Sequence, residues 1–145
     1  MKKIVFILTL FVALAATAAT PPEVNEKVLK AFKETFIKAT DVVWYEMEST
    51  YQASFKQSSI VSRASYDKDG NLLFSTRYYY QDNLPLHIIS KLKKRYAGKS
   101  VYGVTESTSN DEVTYHIMLE DEKNWYVVKS DSWGSLELSK KYKKG

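Results

Sequence analysis

Apolar residues fall at Val24, Val28, Ala31, Phe32 and Phe36, an i, i+4, i+7/8 stripe that predicts an amphipathic helix over residues 23–37. Glu23 and Glu26 stand early in that stretch and Lys33 and Lys38 late, as the helix dipole favours. Beyond it the period changes from 3.6 to 2. Strands are predicted over 40–48, 51–56, 60–66 and 72–80. Asp67-Lys68-Asp69-Gly70-Asn71 reads as a hairpin turn, with Gly70 supplying a positive φ. In the last strand, Leu72, Phe74, Thr76, Tyr78 and Tyr80 alternate with Arg77 and Tyr79. The first set reads as inward-facing and the second as outward-facing.

The pattern then recurs. Val24, Val28, Leu29, Phe32 and Phe36 correspond to Leu84, Ile88, Ile89, Leu92 and Tyr96 at an offset of 60. Tyr51, Ala53, Phe55, Ala64, Asp67, Gly70 and Leu72 correspond to Tyr115, Ile117, Leu119, Val128, Asp131, Gly134 and Leu136 at an offset of 64. The change in offset predicts about four extra residues near 107–112. A second helix opens at Pro85 and stops at Gly98, and strands follow over 100–107, 113–120, 124–130 and 135–142. The expected architecture is an α+β fold of two tandem repeats, residues 20–81 and 82–145. Each repeat is an amphipathic helix followed by a four-stranded antiparallel sheet, with the helices on one sheet face and the other face free.

The first residues carry a different signal. Lys2 and Lys3 precede an apolar run over 4–16 that is too short to span a membrane, and Ala16-Thr17-Ala18 fits a cleavage site. Residues 1–19 are therefore expected to be a signal peptide, giving a periplasmic or secreted protein with no stable membrane insertion after cleavage. The chain has no Cys, which excludes disulfides and an N-terminal Cys lipid anchor and leaves stability to core burial. Loss of Lys2 and Lys3 takes the formal charge from +4 to +2, too little to argue for a nucleic-acid partner.

The ordered set of residues resembles a known family. Phe36, Ala39, Thr40, Asp41, Val42 and Trp44 are followed by Tyr51, Phe55, Tyr66, Asp67, Asp69, Gly70 and Asn71. Leu84, Pro85, Ile88, Tyr96, Tyr115, Asp131 and Gly134 then repeat part of the pattern. Together they resemble the β-lactamase-inhibitor-like, PepSY-like exported proteins of the Bacteroidetes. The second half departs from the first: Val104 stands for Trp44, Trp133 for Asp69 and Ser130 for Tyr66. The resemblance implies an exported tandem helix-plus-sheet fold with no established catalytic residues, and fold alone does not assign function.

The chemistry-bearing residues form no catalytic constellation. His87 and His116 are the only imidazoles and lack ligand spacing, so no metal and no cofactor is expected. Glu46 and Glu48 share a strand face but flank a turn, where they are expected to be solvated rather than buried as a catalytic pair. There is no Gly-x-Ser-x-Gly, Ser-x-x-Lys or Gly-rich phosphate loop. What remains is the aromatic content, 14% of the chain. Tyr45, Arg77, Tyr79 and Trp125, with Trp133 at the rim, are expected to present a binding surface on the helix-free sheet face, since Tyr, Trp and Arg dominate interface hot spots. The expected function is non-catalytic binding of an envelope or secreted protein or peptide. The alternatives are a carrier holding a small apolar ligand between helix and sheet, and, with least support, a small hydrolase.

Overall fold

A computed structural model describes residues 22–145; the expected signal peptide lies outside the described residues. Helix α1 spans Glu26–Thr35, β1 Thr40–Glu46, β2 Thr50–Gln57, β3 Ile60–Asp67 and β4 Leu72–Tyr79. A short 3-10 turn at Gln81–Asn83 leads to α2, Leu86–Arg95. Then come β5 Ser100–Ser109, β6 Glu112–Glu120, β7 Asn124–Asp131 and β8 Leu136–Lys143.

The strands form one eight-stranded antiparallel sheet in the order β1-β2-β3-β4-β5-β6-β7-β8. This corrects the expectation of two helix-plus-four-strand repeats, each with a sheet of its own. β4 pairs with β5 from Phe74↔Ser109 to Tyr79↔Val104, so nothing divides the sheet in the middle. Two separate sheets would expose four edges, whereas merging β4 and β5 satisfies two of them. Residues Ser107 to Ser109, within the stretch 107–112 where the sequence predicted an insertion, lengthen β5 and supply half of that pairing. With only two ten-residue helices, the described chain is mostly sheet.

α1 starts at Glu26 rather than at the prolines because the Asn25 side chain accepts from the Lys27 amide at 2.8 Å, an N-cap. α2 ends in Lys93, Lys94 and Arg95, which suit its C-terminal dipole. Ser58-Ser59 and Asn110-Asp111 both hold positive φ at two successive positions, the signature of tight hairpin turns.

Both helices cover the same sheet face. Val28 and Phe32 of α1 pack on Tyr51, Ala53, Phe55, Ala64 and Tyr66. Ile88 and Leu92 of α2 pack on Val104, Tyr115, Ile117, Leu119, Tyr126 and Val128. Ile60 belongs to the second cluster and Ala64 to the first, and the two lie on one side of β3, which fixes both helices to that side. Burying Leu92 or Phe32 contributes about 2–3 kcal/mol each.

Candidate protein-binding face

The register fixes which side chains reach the uncovered face. Val61 lies opposite Tyr78, Tyr78 opposite Thr105, Thr105 opposite His116, and His116 opposite Lys129. A neighbouring row runs from Gly103 to Met118 and Val127. Trp125 lies opposite Tyr142, and its ring meets Tyr102 edge-on at 4.8 Å. Phe74, Tyr78, Tyr80, Tyr102, Met118 and Tyr142 are all exposed there. The face holds a groove of about 550 Å³ lined in part by Val61, Tyr78, Tyr80, Tyr102, Met118 and Val127. Gly103 keeps part of its floor low, since a Cβ built there meets nothing within 4 Å. Two cations sit on the aromatics: Arg63 5.8 Å from the centroid of the Tyr78 ring, and Lys144 4.5 Å from Trp125.

The five residues singled out in the sequence part company. Tyr45 is half-exposed and, opposite Gln52, lies on the helix-free face. Trp125 lies on that face as well. Trp133 is 82% exposed at the tip of the β7–β8 hairpin, where its carbonyl accepts from Lys91 Nζ at 2.9 Å. Arg77 and Tyr79 face the other way, a correction. Arg77 lies opposite Ser62 on the helix-covered side, and Tyr79 is only 6% exposed, packed with Leu84 and Ile88. The reason is a bulge between Ser65 and Tyr66. Tyr66 pairs with Leu72, whereas Ser65 pairs with Phe74, so Leu72 and Phe74 do not share a face. A slip of one residue inverts every side chain beyond it. Tyr78 and Tyr80, read as inward, are therefore the exposed pair.

On the covered side, Glu106 accepts from Arg77 Nη1 at 3.1 and 3.3 Å and from the Tyr79 hydroxyl at 2.5 Å. Burial, then the bond to Glu106, pushes the Tyr79 hydroxyl pKa well above the tyrosine range; burial and the same carboxylate also raise that of Tyr115. Arg77 also borders a cleft of about 390 Å³ with Thr35, Phe36, Gln57, Ile60 and Ser62.

A cavity between α2 and the sheet, lined in part by Ile89, Leu92, Val101 and Leu119, is about 20 Å³, room for no more than a water. His87 lies on the helix side, its Nε2 donating to the Ser132 carbonyl at 3.0 Å, and His116 lies on the opposite face. Among the described residues no three His, Asp or Glu side chains converge as metal ligands would. Nor is any helix among them long and apolar enough to cross a membrane.

With this geometry fixed, comparison with solved structures decides the architecture. The chain has the fold of a BLIP-like protein. That protein, from Bacteroides fragilis, aligns over 89% of this chain and 92% of its own with a TM-score of 0.67 and 20% identity. A DUF2874 family protein from Bacteroides ovatus aligns over 86% and 88% with a TM-score of 0.62 and 20% identity. A protein provisionally assigned to the periplasm of Bacteroides eggerthii gives 84%, 90%, 0.62 and 15%. No protein-family model matches the chain, and no curated protein does. At these identities the likeness is one of fold.

Proposed function

We propose that this chain is an exported, non-catalytic binding protein that grips another protein through the helix-free face of its sheet. The observation that carries the reading is the exposed aromatic groove around Tyr78, Tyr80, Tyr102 and Met118, opposite the face both helices cover. A cluster of large apolar side chains left in water on a rigid sheet is the kind of surface that marks an interaction site. Trp125, Tyr45 and Arg63 are its further contacts. Arg77 and Tyr79 belong to the core side, and Trp133 serves at most as an outlying contact. The BLIP-like and periplasmic descriptions of the fold relatives agree with binding outside the cytoplasm. The cleavable leader at residues 1–19 and the kinship to PepSY-like exported proteins are part of the same reading.

Gly103→Val tests it. The new side chain enters open space, so stability holds, while the groove floor rises. Wild-type protein is expected to retain a partner from envelope extract or culture medium that neither Gly103→Val nor Tyr78→Ala retains. Equal retention by all three would remove the groove from the reading. Recovery of the chain in the periplasm or medium with its N-terminus near Ala19 tests export.

A further inference from the structure

The sheet is open, and its two edges are unlike. β1 and β8 have no strand on their outer sides among the described residues. In β1 the Met47 amide donates to Thr50, so by alternation Tyr45 and Val43 address β2 with their backbone groups. The N–H and C=O groups of Trp44 and Glu46 then point outward. In β8 the Lys144 amide donates to the Lys123 carbonyl, so Lys143 and Lys141 are the residues whose backbone groups point outward.

The charges on these edges are opposite. Asp41, Glu46 and Glu48 line β1 and the turn after it, and no Lys or Arg occurs between Lys38 and Lys56. Lys56 pairs with Asp41, leaving Glu46 and Glu48 without a cation among the described residues. The other edge carries Lys140, Lys141, Lys143 and Lys144, of which Lys144 pairs with Glu120. Edge lysines commonly block strand pairing, yet here they block only pairing of β8 with another β8. β1 against β1 would likewise oppose carboxylates to carboxylates.

From these edges we infer that copies of this chain associate head to tail, β8 of one antiparallel to β1 of the next. Eight strands of alternating direction make this geometry self-consistent: an identically oriented second copy presents β1 antiparallel to β8, with all helices on one face. The outward backbone groups set the register. Trp44 lies opposite Lys143 and Glu46 opposite Lys141, which pairs opposite charges and a cation with an indole. Tyr45 then meets Tyr142 on the helix-free face. The bulge between Thr40 and Val43 confines the joint to the later part of β1. Such a contact is heterologous, so it builds a ring or an open row rather than a two-fold dimer.

Sedimentation of the purified protein, with residues 1–19 removed so that the apolar leader cannot associate, reads this out. At low salt the average mass is expected to climb with concentration past twice that of the monomer. In about 0.5 M salt, where exposed charges more than a few ångströms apart are screened, it is expected to fall back to the monomer. Glu46→Lys/Glu48→Lys and Lys141→Glu/Lys143→Glu variants should each be monomeric with unchanged circular dichroism. Mixed in equal amounts they should associate again, because each variant's altered edge suits the other. Wild-type protein that stays monomeric at low salt would overturn the inference. So would a plateau at two copies, or variants that associate alone as the wild type does; if a variant misfolds, the salt and concentration dependence of the wild type still decides.

Discussion

The hydroxyl of Tyr79 donates to Glu106 Oε2 at 2.5 Å, tying β4 to β5 at the middle of the sheet. Arg77 Nη1 donates to both oxygens of the same carboxylate. Hydrogen bonds to a charged acceptor at a shielded site are worth more than neutral ones on the surface. Tyr79→Phe is therefore expected to lower the unfolding free energy by about 1–3 kcal/mol. Tyr79→Ala, which also empties core volume, should lower it by about 3–5 kcal/mol. Urea unfolding measures both, and an unchanged midpoint for the alanine variant would contradict the burial of Tyr79.

Its chain neighbours behave oppositely. Tyr78 and Tyr80 are exposed on the far face, so Tyr78→Ala and Tyr80→Ala should each shift stability by no more than about 0.5–1 kcal/mol. Three consecutive tyrosines thus give a small-large-small series in a single denaturation experiment. A large loss at Tyr78 would show that its face is covered.

Alkaline pH should unfold the protein through its buried phenols. Burial pushes Tyr66 up to about 12, and Tyr79 and Tyr115 are also raised, burial again being the largest cause. A phenol whose pKa is higher folded than unfolded stabilises the fold fully below the unfolded value. That contribution is lost as pH rises through the folded one. Stability should thus hold up to about pH 10, the ordinary tyrosine value, and fall steeply between pH 10 and 12. Phenolate absorbance followed beside circular dichroism checks it. Some tyrosines should titrate normally and a second group only with unfolding; one smooth titration would count against buried phenols.

Tyr66 carries a buried hydroxyl without a hydrogen-bond partner, and Thr35 donates its own hydroxyl proton to the Ala31 carbonyl. Tyr66→Phe removes that desolvated group and keeps the ring against Trp44. Its Tm should be unchanged or higher. A clear drop would reveal a bond to Thr35 or to water.

Two glycines of similar φ should respond differently to alanine. Gly98 has φ +76 and open space around a built Cβ, whereas Gly70 has φ +87 and its Cβ would sit 2.9 Å from the Lys27 carbonyl oxygen. Gly98→Ala should cost about 1–2 kcal/mol of left-handed strain. Gly70→Ala should cost more, because the β3–β4 hairpin must also back away from α1. Comparing Tm for the two variants tests whether that hairpin rests on the helix.

The helix stripes and strand limits were legible because period 3.6 and period 2 are local properties. Val28 and Phe32, and Ile88 and Leu92, are the buried helix positions that the stripe named. Which face β4 turns to the helices was not legible. That strand carries apolar or aromatic residues on both sides, and the bulge that sets their direction lies in the pairing of Ser65 and Tyr66 with another strand. Nor could local pattern show that β4 continues into β5, since that joint depends on Arg77 meeting Glu106 across the intervening helix. Tyr45 and Trp125 lie on the helix-free face, but their strands also carry apolar side chains on both sides (Val42 and Trp44 against Val43 and Tyr45, Tyr126 and Val128 against Trp125 and Val127), so pattern alone did not set their direction.

The strand order, in which every strand lies beside its neighbours in sequence, also bears on how the chain acquires its shape. Seven pairings close without any strand waiting for a distant one, and only the β4–β5 joint spans a helix. Pairing between strands adjacent in sequence keeps each loop closure short, which favours folding. A polypeptide emerging amino-terminus first can therefore zip up hairpin by hairpin, with each new strand finding a template already formed. The growing edge is then always the strand most recently added, with β1 open throughout at the other side, and the last of the eight strands to arrive is the lysine-studded β8, whose charges keep that edge solvated.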